Sequence, residues 1–343
     1  MVAPLRVSIT IGGFVRLSAL TLSLFLFLGG DLYAQESFAP TGITIAVSGE
    51  DQRPKLLMVL EEESSGTQSL FSTRSYRLLN ADPVSACYAV ENNFFYAQGN
   101  SVHRVEINPL DYSIASDSSV LTTPSSVVNL VAGQGCLVVS TREVLMVSTV
   151  GGERLSQRPI TGTPLNLVID NSGGRVALLT ETPTQQREVS TFQLTRNAGG
   201  TCQLSAPSRG TVNTNAIGYL PNGNLVGANG NESFIFSIGG GGVNRLYTMQ
   251  VGGGHIRVGT SQGTTILYIQ NNRDLSILSS TDNRTFSLVT TLRNLIDHLG
   301  IVGSNLSLTG ISISDLKAFS KEGTMIGEVS LGNTGLCLSG WSL

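Results

Sequence analysis

Short apolar runs separated by turn residues recur along almost the whole chain, and segments with helical periodicity are scarce. The pattern is clearest in residues 215–251, where four apolar runs follow one another: Ala216–Leu220, Leu225–Ala228, Ser233–Ile238 and Arg245–Val251. The segments between them are rich in Asn and Gly, which supply the positive-φ positions of tight hairpins. This stretch therefore predicts four short strands joined by tight turns.

Similar units begin near seven positions separated by 38 to 51 residues: Ile43, Val84, Val127, Leu165, Ala216, Ile256 and Ile301. A unit of about 40 residues with four strands resembles a β-propeller blade. The resemblance lies in architecture only, because no WD40 pair and no sialidase Asp-box is present. It implies an all-β fold with seven four-stranded blades, and six or eight blades stay open.

Each four-stranded unit has two apolar faces and must stack on its neighbours to bury them. Closing the ring would let Gly42–Ser48 pair with the C-terminal unit. We therefore predict a propeller over 42–332, preceded by a short lead at 35–41 and followed by a C-terminal tail at 333–343.

The N-terminus resembles a secretory signal peptide. Arg6 and Arg16 precede the apolar run Leu17–Leu28, and Leu32-Tyr33-Ala34 offers a cleavage site. The uncharged run Leu17–Gly30 is short against the roughly 20 residues needed to span a bilayer. We expect residues 1–34 to be removed and the protein to be secreted. An uncleaved N-terminal membrane anchor is the alternative.

The cysteines fit an oxidising compartment. Cys87, Cys136, Cys202 and Cys337 are an even set without a CxxC motif. We predict one or two disulfides from three possible connectivities. Buried free thiols at Cys87 and Cys136 remain an alternative.

Three N-x-S/T triplets, at Asn231, Asn283 and Asn305, predict glycan sites on exposed turns if the host glycosylates. Only 13% of residues are charged, against a typical share of about 25%. Lysine occurs only at Lys55, Lys317 and Lys321, so no basic stripe supports nucleic-acid binding.

Two segments depart from the strand pattern. Leu292, Leu295, Ile296 and Leu299 have helical spacing before Gly300, so we predict a short helix over 291–300. A strand continuing to Leu292 and then a loop is the alternative. The acidic segment Glu61–Gly66 predicts a solvated turn; a cation site there is the less favoured interpretation.

No catalytic constellation is visible. The sequence Gly259-Thr260-Ser261-Gln262-Gly263 fits G-x-S-x-G, but a strand follows where the nucleophile motif needs a helix, so a hairpin turn is expected. His103, His255 and His298 have no metal-binding spacing. His103 is expected to be a surface or half-buried residue rather than a base, and His255 is a candidate for the channel because it opens an inner strand.

Other candidates near inner-strand ends are better explained by turn formation. Asn166, Asp170, Asn215 and Glu91 fit turn capping, and the run Gly239–Gly242 fits a hairpin loop rather than an anion site. The sequence thus predicts no catalytic, metal or cofactor residue.

The leading functional hypothesis is a non-catalytic secreted module that binds a protein or glycan at one rim of the ring. The alternative is a lactonase-like or quinoprotein-like enzyme with a central metal or cofactor site, so enzymatic activity stays open. Convergence of carboxylate, Asn or His side chains at the channel mouth would favour the enzyme.

Overall fold

The computed structural model describes residues 39–64, 68–153, 156–240, 242–302 and 306–342. By its internal contacts the chain divides into residues 1–37 and a unit of residues 38–343, to which all described residues belong. The predicted signal peptide, residues 1–34, lies outside the described residues. No helix in the described ranges is long and apolar enough to cross a lipid bilayer.

In the described ranges the only regular secondary structure is the β-strand, and turns and loops join the strands. The strands are numbered in chain order. The first group is β1 (Ala39–Ser48), β2 (Leu56–Ser64), β3 (Ser69–Leu78), β4 (Val84–Val90), β5 (Asn93–Gln98), β6 (Ser101–Ile107), β7 (Ile114–Thr122), β8 (Val127–Gly133), β9 (Cys136–Thr141) and β10 (Val144–Thr149). The second group is β11 (Ser156–Pro159), β12 (Thr163–Ile169), β13 (Arg175–Glu181), β14 (Arg187–Arg196), β15 (Cys202–Leu204), β16 (Ser208–Thr211), β17 (Ala216–Tyr219), β18 (Leu225–Ala228), β19 (Ser233–Gly239) and β20 (Gly242–Met249). The third group is β21 (His255–Ser261), β22 (Thr264–Asn271), β23 (Asp274–Ser280), β24 (Ser287–Leu292), β25 (His298–Val302), β26 (Leu308–Ser312), β27 (Asp315–Phe319), β28 (Met325–Ser330) and β29 (Gly335–Ser342).

These strands form seven antiparallel sheets, each of which is one blade. Blades 1 to 6 are β4–β7, β8–β11, β12–β16, β17–β20, β21–β24 and β25–β28, and blade 7 has the order β29-β1-β2-β3. The inner strands β4, β8, β12, β17, β21, β25 and β29 touch one another in that order, and β29 touches β4. The predicted seven-bladed β-propeller is therefore confirmed.

Seven separate apolar clusters hold the ring together, one at each junction between neighbouring blades. This arrangement follows from the middle strands, which are apolar on both faces. In β9 and β26, for example, every residue is buried. Burial of both faces requires a neighbour on each side, and only a closed ring supplies one to every blade.

Tight turns connect the strands as the sequence predicts. Between β21 and β22, Gln262 and Gly263 have φ values of 47° and 78°, the signature of a two-residue hairpin turn. The G-x-S-x-G match therefore lies in a hairpin, as expected. Gly239 pairs with Gly242 at the end of another hairpin, between β19 and β20.

Blade 7 corrects the predicted C-terminal boundary. Residues 335–342, which we expected in a tail, form the inner strand β29, and Ile45 of β1 pairs with Ser339. Because β29 occupies the inner position, the unit that begins near Ile43 supplies the second strand of its blade. Closure between the first and last strands is as predicted.

The predicted helix over 291–300 is wrong. β24 continues to Leu292, a loop follows, and β25 begins at His298. Asn294 has a φ of 57°, outside the helical region, and its N–H donates to Asp274 Oδ1 at 2.8 Å. Of the apolar residues with helical spacing, Ile296 and Leu299 are buried at the junction of blades 5 and 6, and Leu292 and Leu295 pack against them partly buried.

The predicted acidic turn is also wrong, because Glu61, Glu62 and Glu63 belong to β2. Glu61 and Glu62 are buried there. Arg74 on β3 forms an ion pair with Glu61, and Ser69 donates a hydrogen bond to Glu62 at 2.8 Å. Polar partners on neighbouring strands thus permit carboxylates inside the blade.

Two disulfides link neighbouring blades. Cys87 on β4 pairs with Cys337 on β29, and Cys136 on β9 pairs with Cys202 on β15. The expectation of disulfides is confirmed, and free thiols at Cys87 and Cys136 are excluded. Bonds of this kind form in oxidising compartments.

Candidate functional site

The channel along the ring axis is lined by all seven inner strands, of which β25 contributes only Gly300, and its volume is about 550 Å³. A smaller vestibule of about 170 Å³ lies beside its mouth, where inner strands β21, β25 and β29 begin. Arg257 lines both spaces. The volume of the channel lies within the ~300–1,000 Å³ range of small-molecule sites.

Register shifts reshape the mouth of the channel. In β4, β8, β12 and β25 the ladder to the next strand shifts near the beginning of the strand, and the pairing of β29 with β1 shifts in the same place. In β25 the residue left out of the pairing is Gly300. Bulges of this type are common next to active sites, because they release backbone groups and redirect side chains.

Polar side chains of the channel wall bind the backbone of the next blade. Asn166 Oδ1 of blade 3 accepts the N–H of Ile217 in blade 4 at 3.1 Å. Ser339 Oγ of blade 7 accepts the N–H of Ala89 in blade 1 at 2.8 Å. Part of the polar lining therefore serves the ring itself, since it satisfies backbone groups of the inner strands.

Arg257 of blade 5 makes the same kind of contact with blade 6. Its Nε donates to the carbonyl oxygen of Gly300 at 2.9 Å, and its Nη2 donates to that of Leu299 at 3.4 Å. Its Nη1 donates to the carbonyl oxygen of Ile256 at 3.0 Å. A guanidinium has five N–H donors, so two remain for a ligand. The three backbone bonds fix the orientation of those two.

No carboxylate neutralises Arg257 among the described residues, since none of their ion pairs includes it. Asp297 also lines the vestibule, but it pairs with Arg273 at 2.9 Å. More than a third of the Arg257 surface is accessible, and this side chain lines both the channel and the vestibule. Burial lowers the pKa of Arg257. Arginine nevertheless stays protonated in proteins, so the channel holds a permanent positive charge.

Two imidazoles share the vestibule with Arg257. His255 lies two residues before Arg257 on β21, so both side chains point to the same face of that strand. His298 opens β25 on the other side. Burial first, and then the charges of Arg257 and His298, lower the pKa of His255. His255 is therefore neutral at pH 7 and able to accept a proton.

Tyr88 adds a phenol to the channel wall. Burial raises its pKa to about 12, against the opposing effect of Arg257, so it stays protonated at neutral pH. Together the channel wall and the vestibule offer a fixed cation, Arg257, one neutral proton acceptor, His255, and a phenolic donor, Tyr88. This combination can bind a polar or anionic molecule and activate water at a carbonyl group.

The structure gives no support to a central metal. Among the described residues, no group of three His, Cys, Asp or Glu side chains could hold a metal ion. His255 and His298 are the imidazoles near the channel, and the nearby carboxylate of Asp297 is engaged by Arg273. The residues present therefore do not fit the metal site of the alternative hypothesis.

The other sequence candidates have structural roles. Asp170 accepts hydrogen bonds from the N–H groups of Gly174 and Arg175, both at 2.9 Å, and thus caps a turn. Glu91 and Asn215 are exposed, Glu91 in a turn. His103 is half-buried and stacks on Tyr96 at 4.8 Å between ring centroids.

Of the candidate glycan sites, Asn231 is exposed in a turn and Asn283 is half-buried. Asn305 lies outside the described residues. Glycosylation at these positions stays a prediction.

Sequence reasoning missed Arg257. The only local signal is a charged residue inside an inner strand that otherwise holds apolar, small and hydroxyl side chains after His255. A blade-by-blade comparison of the inner strands would have singled it out.

These features define a seven-bladed propeller with a basic group, Arg257, at the mouth of its channel. By overall fold the chain is similar to a proposed 6-phosphogluconolactonase from Bacteroides uniformis, with a TM-score of 0.63 and 10% identity over 88% of this chain and 100% of that chain. It is also similar to the periplasmic gluconolactonase of Pseudomonas aeruginosa, with a TM-score of 0.60 and 8% identity over 88% and 99% of the two chains. A functionally unknown protein of Desulfotomaculum acetoxidans gives a TM-score of 0.62 and 15% identity over 87% and 98%.

At these identities the likeness shows the fold alone. No protein-family model matches the sequence, and no curated protein matches it significantly.

The hypothesis of a non-catalytic interaction module is contradicted by these results. Structures of the same fold that cover nearly the whole domain include one gluconolactonase and two proposed 6-phosphogluconolactonases, which fits the enzyme alternative better. That hypothesis assumed that no acidic, basic or metal-binding side chains converge at the mouth of the channel. The ring instead brings His255, Arg257 and His298 together from two blades, although 43 positions separate Arg257 from its bonding partner Gly300.

Proposed function

We propose that the protein hydrolyses a lactone at the mouth of its channel. The observation that carries this proposal is Arg257, a cation without a carboxylate partner that lines the channel and keeps two N–H donors for a ligand. The lactonases among its structural neighbours support the same reaction class.

The chemistry follows from the positions of the charged groups. Water attacks the ring carbonyl, and His255 accepts the proton that the attacking water loses. The carbonyl oxygen becomes an oxyanion, which the free donors of Arg257 stabilise. When the tetrahedral intermediate collapses, the ring C–O bond breaks and the leaving oxygen takes a proton, so the product is a hydroxy acid.

The preorganisation of Arg257 matters for this step. Its guanidinium is held by the carbonyl oxygens of Ile256, Leu299 and Gly300 before any substrate arrives. Donors that do not have to reorient are more effective in stabilising a developing charge. The wall residues Asn129 and Tyr88 offer further polar contacts to a hydroxylated ring.

The test uses glucono-δ-lactone and 6-phosphoglucono-δ-lactone as probes, because the structural neighbours point to these compounds. Acid release by the purified mature protein is followed in a pH-stat against the spontaneous rate. We expect acceleration of at least one lactone, and loss of about 10²- to 10³-fold in kcat/KM for Arg257→Gln.

Arg284→Gln is the matched control, since Arg284 is exposed and lines neither the channel nor the vestibule. It should keep the wild-type rate. A wild-type protein that accelerates neither lactone, or an Arg257→Gln variant that is fully active, would exclude the proposal.

We also propose that the protein works outside the cytoplasm, as a secreted protein released by cleavage after residue 34. The two disulfides support an oxidising compartment. N-terminal sequencing of material recovered from the culture medium tests this. A first residue of Gln35 is expected, and retention of the leader would contradict it.

A further inference from the structure

A second cavity, separate from the channel, opens at the outer side of the ring between blades 2 and 3, and it encloses about 330 Å³. Its apolar floor consists of the buried side chains Leu145, Leu178 and Phe192. Pro159 and Pro207 stand on opposite sides of it. None of these residues lines the channel or the vestibule.

The cavity exists because the outer strands of both blades are incomplete there. The outer strand of blade 2, β11, has only four residues and ends at Pro159. The outer strand of blade 3 is broken into β15 and β16, which both pair with β14 on either side of residues 205–207. Proline has no N–H to donate to a ladder, so Pro207 favours the interruption.

A half-buried cation lies in this gap. Arg158 of blade 2 donates through Nη2 to the carbonyl oxygen of Leu204 in blade 3. It forms no ion pair with any carboxylate in the described ranges. The one bond to Leu204 uses a single N–H, so Nε and Nη1 keep donors for a ligand.

The remaining polar groups of the cavity leave an excess of positive charge. Arg209 and Glu188 both line it and lie 3.7 Å apart as an ion pair. Their charges cancel, which leaves the charge of Arg158. The buried hydroxyl groups of Thr180 and Ser190 add hydrogen-bonding positions at the wall.

We propose that this cavity binds a small amphipathic carboxylate. The anionic end binds the free donors of Arg158, and the apolar body packs on Leu145, Leu178 and Phe192. An apolar floor with one well-placed charged group is the usual composition of a small-molecule site, and the volume is at the lower end of the ~300–1,000 Å³ range. Guanidinium also matches the planar geometry of a carboxylate. This inference does not depend on the proposed lactonase activity.

To test this proposal, the mature protein is titrated with octanoate and, in a parallel experiment, with uncharged 1-octanol. Binding of both ligands is measured by isothermal titration calorimetry. We expect saturable binding of octanoate at one site and at least about tenfold weaker binding of 1-octanol, because the alcohol lacks the charge that Arg158 recognises. Arg158→Gln should weaken octanoate binding about tenfold or more, while Arg284→Gln leaves it unchanged.

Location is checked independently with wild-type protein. Methyl NMR should show octanoate-induced shifts at Leu145 and Leu178, and none at Leu338 of the channel wall. This measurement decides the matter if Arg158→Gln does not fold. Absence of saturable octanoate binding, equal binding of 1-octanol, or shifts confined to the channel would each overturn the proposal.

Discussion

Cys87 and Cys337 are covalently joined across the junction of blades 1 and 7, although 250 positions separate them in the chain. Both residues line the vestibule with His255 and Arg257. The bond therefore joins two neighbouring inner strands at the place where the ring closes, directly beside the candidate site.

We expect the double substitution Cys87→Ser with Cys337→Ser to lower the free energy of unfolding by about 2–4 kcal/mol, because the disulfide limits the freedom of the unfolded chain. Guanidinium chloride denaturation measures this loss. The double substitution at Cys136 and Cys202, which closes a loop of 66 residues, provides the comparison. An unchanged denaturation midpoint for the Cys87 and Cys337 variant would contradict the expectation.

Lys55 is completely buried, and its ammonium group donates to the backbone carbonyl oxygens of Glu50, Arg53 and Ala81. Lys55→Met keeps most of the apolar stem but leaves these three acceptors without their donor. Unsatisfied buried polar groups cost about 1–3 kcal/mol each, and part of that cost is relieved by water. We therefore predict a loss of about 2–4 kcal/mol in stability, measured by thermal denaturation.

Lys321→Met serves as the control, because Lys321 is exposed and its side chain lies 3.9 Å from that of Glu322, which is also exposed. It should change stability by less than about 0.5 kcal/mol. Equal effects of the two substitutions would show that the three carbonyl contacts of Lys55 contribute nothing.

Glu62 predicts an unusual pH dependence of stability. Burial raises its pKa, and the hydrogen bonds from Ser69 and Thr309 lower it only in part. The folded protein therefore favours the protonated form of Glu62. The resulting contribution to folding stability is fully present at low pH. It is lost as the pH rises through the raised pKa. Glu62→Gln removes the cost of the buried charge.

The melting temperature of Glu62→Gln should equal that of wild type in acid and exceed it increasingly as the pH rises, up to a plateau above the raised pKa. Differential scanning calorimetry between about pH 4 and pH 8 covers the expected window. Glu50→Gln is the exposed control and should show no such trend. A Glu62→Gln protein that is less stable than wild type at pH 8 would refute the argument.

His255 predicts the acid limb of the activity profile. As a general base it must be neutral, so kcat/KM falls when the pH drops through its pKa. Burial, Arg257 and His298 lower that pKa, so the midpoint lies below the ordinary value of about 6.5. Arg257→Gln removes one of the lowering charges, and the midpoint should move upwards.

NMR titration of the His255 ring protons measures the same shift without any substrate. Wild type and Arg257→Gln are compared, with Arg284→Gln as the charge control. A wild-type midpoint at or above 6.5, or identical midpoints in wild type and Arg257→Gln, would exclude His255 as a base tuned by its neighbour.

The ring could be predicted from the sequence because each blade repeats the same local pattern. Predicted unit starts at Val84, Val127 and Ala216 coincide with the first residues of β4, β8 and β17. The helix was wrongly predicted because Leu292, Leu295, Ile296 and Leu299 all pack into one inter-blade cluster. These four residues pack on the same inter-blade cluster, so their spacing along the chain resembles that of a helix. The backbone between β24 and β25 is nevertheless a loop.

The candidate site could not be predicted in the same way. Arg257 makes two of its three hydrogen bonds to the next blade, to Gly300 and Leu299, so its placement depends on a contact that no local pattern shows. His255 was recognised as a channel candidate because it opens an inner strand, but its neighbour His298 was assigned to a helix. Local sequence patterns predict the strands of each blade, whereas the candidate site is formed by contacts between different blades.

The pairing of β1 with β29 also has a consequence during synthesis. Residues 39–48 are made early, yet their partner at 335–342 is translated almost 300 positions later. Until then the nascent polypeptide exposes the edge of β1 that later pairs with β29, and Cys87 lacks its native partner, Cys337. The propeller ring therefore closes only after nearly all of the domain has been translated. During this interval the unpaired edge of β1 is open to a chaperone.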